Sequence, residues 1–96
     1  MIEITRFRLA DGADEAGFLV ADARLQSEFA YQQAGLMRRT TARSGDGEWV
    51  VIDIWRSAAD AEACDGRWDS DPVVQEFRSY IEAGSLRSDR YLELGG

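Results

Sequence analysis

The stretch Glu48-Trp49-Val50-Val51-Ile52-Asp53-Ile54-Trp55-Arg56 constrains this chain more than any other. It is rich in β-branched and aromatic residues and follows Gly45-Asp46-Gly47, so it reads as a strand entered through a glycine-bearing hairpin turn. Side chains of a strand alternate between two faces. One face carries Trp49, Val51, Asp53 and Trp55, and the other carries Val50, Ile52 and Ile54. Both are apolar, so the strand needs cover on both sides. The first face also sets a carboxylate among aromatic rings.

The rest of the chain supplies candidates for that cover. Ile2 to Leu9 reads as a first strand, with Ile2, Ile4, Arg6 and Arg8 on one face and Glu3, Thr5, Phe7 and Leu9 on the other. Asp11-Gly12 stops it. A helix over roughly Ala13 to Gln33 follows, with Asp14 and Glu15 in its first turn, where the helix dipole favours acids. Phe18, Ala21, Asp22, Leu25 and Phe29 recur at spacings of three and four, an apolar stripe with one acid inside it. Gly35 ends this unit, and Leu36 to Ser44 is an arginine-rich second strand that leads into the hairpin. After Trp55, Ser57 and Asp60 have the spacing of a capping box opening a short helix to about Gly66. Asp71-Pro72 restarts a helix with an N-cap acid and proline in its first turn. Its stripe is Val73, Val74, Phe77, Tyr80 and Ile81, and Gly84 ends it. A last strand spans about Asp89 to Leu94.

This order, β-α-β-β-α-β with the second helix broken in two, gives an α+β, ferredoxin-like domain over residues 1–96. Its four-stranded antiparallel sheet has helices on one face. The helices cover Trp49, Val51, Asp53 and Trp55 and leave Val50, Ile52 and Ile54 bare. Burying those three is worth roughly 1.5–3 kcal/mol each, and a contiguous exposed patch invites association. A second copy of the sheet is the economical cover. The expectation is a homodimer, two sheets closing into a dimeric α/β barrel, with Arg6 and Arg8 at the rim or paired with acids.

Composition narrows the function. The chain has a net charge of −7 and no histidine, lysine or asparagine; every base is arginine. That balance argues against nucleic acid and against an anionic membrane surface. The absence of histidine removes imidazole acid–base chemistry and imidazole metal sites. A lone cysteine, Cys64, forms no internal disulfide, no apolar run reaches membrane-span length, and Met1 leads straight into a strand. A cytoplasmic protein is the simplest reading.

The run Val50-Val51-Ile52-Asp53-Ile54-Trp55-Arg56-Ser57, followed by Asp60-Ala61 and by Asp71-Pro72 with Phe77 behind, resembles the dimeric α/β-barrel superfamily. Within it the chain is similar to the antibiotic-biosynthesis-monooxygenase-like branch, over nearly its whole length. The resemblance implies the dimeric barrel and a pocket between sheet and helices. Members include cofactor-free monooxygenases, haem-degrading enzymes, isomerases and decarboxylases, so the fold alone does not choose an activity. In the haem-degrading members a tryptophan at the end of the third strand lines the pocket, and Trp55 matches it. Their first-strand asparagine falls at Thr5, and their haem-ligating histidine has no counterpart. Haem is therefore not expected, nor is any other cofactor or metal. The second helix is longer around Cys64 to Asp69 than in those enzymes, which reshapes the pocket.

If Trp55 faces the helices, Asp53 does too, and Asp22 in the long helix's stripe meets it across the pocket. Two carboxylates in an apolar space raise one pKa, which makes a general base near neutrality. Asp53 and Asp22 are thus the candidate bases. Trp55, Thr5, Phe7, Arg38, Trp68 and Tyr80 are the candidate substrate-holding residues. The competing structural readings are ion pairs of the acids with Arg38, Arg39, Arg43 or Arg56, core packing for the tryptophans, and an inert buried thiol for Cys64. Three functions fit: a cofactor-independent monooxygenase-like enzyme acting on a small aromatic metabolite, a non-catalytic module binding a small apolar ligand, and a purely structural dimer.

Overall fold

The computed structural model describes residues 1–96. Strands β1 (Ile2–Phe7), β2 (Leu36–Arg43), β3 (Trp49–Trp55) and β4 (Arg87–Tyr91) form one sheet in the order β2-β3-β1-β4. All its pairings are antiparallel. Helices α1 (Glu15–Glu28), α2 (Ala58–Trp68) and α3 (Pro72–Ser79) pack on one face, giving the ferredoxin-like α+β layout. No helix is long and apolar enough to cross a membrane.

The core lies between sheet and helices. Phe18, Ala21 and Leu25 of α1 are almost fully buried, as are Val74 and Phe77 of α3. They meet Phe7, Trp49, Val51 and Trp55 from the sheet. The aromatic rings pack edge to face, Phe18 on Trp49 with centroids 4.9 Å apart and Phe7 on Phe77 at 5.7 Å. The alternation read from the sequence therefore holds in β1 and β3. On the opposite face, Ile2, Ile4, Val50, Ile52 and Ile54 keep partial exposure, because nothing in the chain covers them.

Local capping follows the sequence. Ser57 Oγ accepts from the backbone N–H of Asp60 at 3.2 Å and Asp71 Oδ1 from that of Val73 at 2.9 Å, each satisfying a donor in a helix's first turn. Gly35 has φ +84°, and a Cβ there would collide with the side chain of Asp60, so the turn into β2 requires glycine.

Several boundaries differ from the sequence expectation. Helix α1 ends at Glu28 rather than Gln33, and a 3-10 turn covers Ala30–Gln32. Phe29 leaves helical geometry (φ −123°) and its ring is buried edge-on against Trp68 at 5.8 Å, so packing ends the helix. Helix α3 stops at Ser79, because Ile81 turns to bridge Leu9 instead of continuing to Gly84. Strand β4 begins at Arg87 and stops at Tyr91. Its last partner is Ile2, where β1 begins, and Leu92 and Leu94 are exposed beyond it.

One irregularity matters for chemistry. Strand β2 pairs Leu36 with Trp55 and then Arg38 with Ile54, a bulge at Met37. Uninterrupted alternation from Leu36 would turn Arg38 to the helix side opposite Asp53. The extra residue moves it to the open face and sets Arg39 opposite Asp53 instead.

Candidate functional site

The helix-side face of the sheet has two ends. At one, Phe7 faces Trp49 in the register, and α1 and α3 fill the space with Phe18 and Phe77. At the other, Glu3 faces Asp53 and Thr5 faces Val51, and the helices stand away from the sheet. A cavity of about 570 Å³ opens there. Its sheet wall includes Glu3, Thr5, Arg39, Val51, Asp53, Trp55, Ser88 and Arg90. Leu25, Phe29 and Ala30 close it from α1 and the turn after it, Cys64, Asp65 and Trp68 from α2, and Phe77 from α3. This volume is in the range of small-molecule pockets, and the mix of aromatic walls and a few convergent polar groups has the same character.

Asp53 is the chemically distinctive group. Its Oδ1 is buried without a hydrogen-bond partner, and the nearest cation, Arg39 Nε, stands 4.0 Å away. Burial pushes its carboxyl up to about 6 from 3.8. The Arg39 guanidinium pulls the other way, and the charges of Glu3 and Asp22 add to the rise. A carboxyl poised there is half ionised within about a unit of neutral pH, which is what a general base needs.

Arg39 is only 3% exposed through its side chain. Its Nη2 donates to Asp22 Oδ1 at 2.7 Å, and its Nη1 to Gln26 Oε1 and Thr41 Oγ1, each at 3.3 Å. The guanidinium also sits over the Phe77 ring, 5.9 Å from its centroid. The Tyr31 hydroxyl accepts from the backbone N–H of Arg39 at 2.8 Å and fixes β2 at this point. Asp22 therefore holds Arg39 in place, and it does not reach the cavity wall.

At the cavity's outer edge Arg90 ties three elements together. Its Nε donates to Glu3 Oε2 at 2.7 Å, and its Nη2 reaches both oxygens of Asp65 at 2.7 and 2.8 Å. The edge strand β4 is thus joined across β1 to α2. Cys64, next to Asp65, is buried on the same wall, and its thiol is raised to about 11, chiefly by burial, so it stays protonated at neutral pH.

The structure places Asp53, Trp55, Thr5 and Trp68 on the cavity wall. Thr5 Oγ1 is hydrogen-bonded to Ser88 Oγ at 2.8 Å. Four other candidates lie elsewhere, the first being Asp22, which is turned to Arg39 and off the wall. Arg38 is exposed on the open face because of the bulge, and Arg39 stands where it was expected. Phe7 is consumed by the filled end of the core, 1% exposed. Tyr80 packs against Phe18 near the start of α1, its hydroxyl lying where a Cβ on Gly17 would come within 2.9 Å. In the sequence Arg39 stands out only as an ion-pair partner, and nothing there singles out Glu3, Asp65 or Arg90. The Arg38-Arg39 doublet was the available signal, but the bulge that chooses between them leaves no mark in the alternation.

No protein-family model matches the sequence, and no curated protein does. Solved structures do. SnoaB, a cofactor-independent oxygenase from Streptomyces nogalater, is 20% identical with a TM-score of 0.80, over 99% of this chain and 93% of its own. An antibiotic biosynthesis monooxygenase is 10% identical with a TM-score of 0.62, over 97% of this chain and all of its own. A dimeric ferredoxin-like protein from an uncultured marine organism is 11% identical with a TM-score of 0.67, over 99% of this chain and 88% of its own. The chain thus has the ferredoxin-like fold of the antibiotic-biosynthesis-monooxygenase-like proteins.

Proposed function

We propose that this protein is a cofactor-independent monooxygenase-like enzyme that oxidises a small aromatic metabolite, working as a homodimer. The observation that carries the reading is Asp53, a carboxyl raised to about 6 and lacking a hydrogen-bond partner at Oδ1, on the wall of a 570 Å³ cavity lined by Trp55 and Trp68. The fold likeness to SnoaB supports it.

In this reading the aromatic substrate lies against the two indoles and Asp53 removes a proton from an activated C–H or O–H. The resulting anion gives an electron to dioxygen, and the radical pair combines into a hydroperoxide. Loss of water then converts a ring CH2 to a carbonyl: one substrate and one dioxygen give one carbonyl product and one water. Both electron pairs come from the substrate, so no external reductant enters. Arg39, 4.0 Å from Asp53 and fixed by Asp22, opposes the effect of burial on Asp53 and keeps its carboxyl able to ionise near neutral pH. The apolar wall keeps water from the intermediates.

Oxygen uptake measured against a panel of hydroxylated polycyclic aromatics tests this. A substrate should consume oxygen one to one, and Asp53→Asn should lower turnover about 100-fold or more. Turnover unchanged in Asp53→Asn would remove the base assignment. Binding without oxygen uptake throughout the panel would favour the non-catalytic binding module.

A further inference from the structure

We propose that the cavity selects neutral aromatic molecules and turns away those carrying a carboxylate, an inference that rests on the aromatic-pocket reading above. The argument is one of charges already spoken for. The wall carries two guanidiniums, Arg39 and Arg90, and three carboxylates, Glu3, Asp53 and Asp65. Arg39 is held by Asp22 at 2.7 Å, outside the wall, and faces Asp53 on its other side. Arg90 is closed by Glu3 and by both oxygens of Asp65. Arg39 has both terminal nitrogens engaged and its Nε turned to Asp53, and Arg90 has Nε and Nη2 engaged, so neither offers a ligand carboxylate two unengaged parallel N–H groups.

Two of the wall's acids are largely withdrawn from solvent. The side chains of Glu3 and Asp53 are 14% and 15% exposed, and the two residues are opposite each other in the register. Asp65 stands at the solvent edge. A ligand carboxylate entering here would lose its water and find acids rather than a cation, a cost with nothing to offset it. A neutral ring with hydroxyl, carbonyl or ester groups meets no such cost and keeps its contacts with Trp55 and Trp68. The same arrangement suits a base that acts inside the cavity, since proton transfer moves the Asp53 charge onto the substrate and adds no further charge to the wall.

Three probes matched in ring size decide it at pH 7.5: 1-naphthol, methyl 1-hydroxy-2-naphthoate and 1-hydroxy-2-naphthoate. Binding is read from tryptophan fluorescence and from the thermal shift that a bound ligand produces. The expected result is that naphthol and the ester bind, and that the acid binds at least about tenfold more weakly than the ester. The double variant Glu3→Gln/Asp65→Asn frees Arg90 and should bring acid and ester to comparable affinity, with naphthol binding retained as evidence that the cavity is intact. If naphthol binds and the acid matches or exceeds the ester in the unaltered protein, charge selection is wrong while the pocket reading stands. If the double variant keeps naphthol but does not gain the acid, Arg90 is not the determinant and the proposal fails there. If none of the three binds, the pocket reading falls and this inference with it.

Discussion

At the scale of single residues, the burial of Asp53 carries a stability cost. Its folded pKa, about 6, lies above the ordinary 3.8, so between those values the folded chain holds a proton that the unfolded chain has released. Folding is therefore favoured by this group as pH falls from about 6 towards 3.8 and is penalised fully above 6. Asp53→Asn should raise stability at pH 7.5 by on the order of 1–2 kcal/mol, with the gain fading by pH 4. Chemical denaturation at the two pH values reads this, and equal stability of the two proteins at pH 7.5 would contradict the burial argument. Asp22 makes the opposite prediction. Asp22→Ala leaves Arg39 buried beside only a distant carboxylate, and should cost about 3–5 kcal/mol. A loss under about 1 kcal/mol would mean that Arg39 finds water or Asp53 instead. Much of this site could be read in the sequence, because alternation sets Asp53 and Trp55 on one face of the third strand and the family resemblance of Trp55 and Thr5 points to a pocket there. Phe7 and Tyr80 could not be sorted from them. Which end of a sheet face is filled depends on where α1 and α3 cross it, and that is a three-dimensional fact.

At the scale of elements, the order of strands and helices was plain in the sequence, while their ends were set by tertiary contacts. The 3-10 turn after α1 exists because Phe29 turns inward onto Trp68, and the bulge in β2 shows only in the pairing with β3. Such local departures from propensity are where packing overrides pattern. The same view identifies the joint between α2 and the sheet edge. Arg90 bridges β4 to Asp65 on α2 and to Glu3 on β1, while every residue of β4 is exposed. Arg90→Met should loosen α2 over the cavity at a global cost under about 1 kcal/mol, since the network is partly solvated. Cys64 reports on this directly, being the single cysteine of the chain, buried beside Asp65. Its modification by an aromatic disulfide reagent at pH 8.5 should accelerate about fivefold or more in Arg90→Met, because local opening exposes the thiol. An unchanged rate with unchanged stability would show that α2 is held by its own buried residues, Ala61 and Cys64, and not by the ion pairs.

At the scale of the whole molecule, the open face of the sheet decides how the protein exists in solution. Ile2, Ile4, Val50, Ile52 and Ile54 form adjacent positions on β1 and β3, with Tyr91 half exposed on β4 beside Ile2. Arg6 lies 3.6 Å from Asp89 and Arg8 3.8 Å from Asp46, and Arg38, exposed on the edge strand β2 opposite Ile54, has no acid within 4 Å; all three lie towards the edges. The centre of the face is thus apolar and its rim is charged, the layout of a protein interface. Each isoleucine or valine covered by a partner would contribute roughly 1.5–3 kcal/mol, and the partner with a matching apolar face that this sequence supplies is its own second copy. The opposing term is charge, because each chain brings −7 to the pair. That repulsion is long-range and screened by salt, whereas the apolar contact is not, so the dimer should tighten as salt rises from low to moderate concentration. Ile52→Asp sets a carboxylate at the centre of the face while leaving the core on the other side untouched. Light scattering at micromolar concentration should then give twice the chain mass for the unaltered protein and the single chain mass for Ile52→Asp, with helix and sheet content preserved. A unaltered protein that runs as a monomer at these concentrations would leave the doubly apolar β3 without its explanation. A dimer unaffected by Ile52→Asp would place the interface elsewhere, on the exposed Leu92 and Leu94 beyond β4 or on the outer side of the helices.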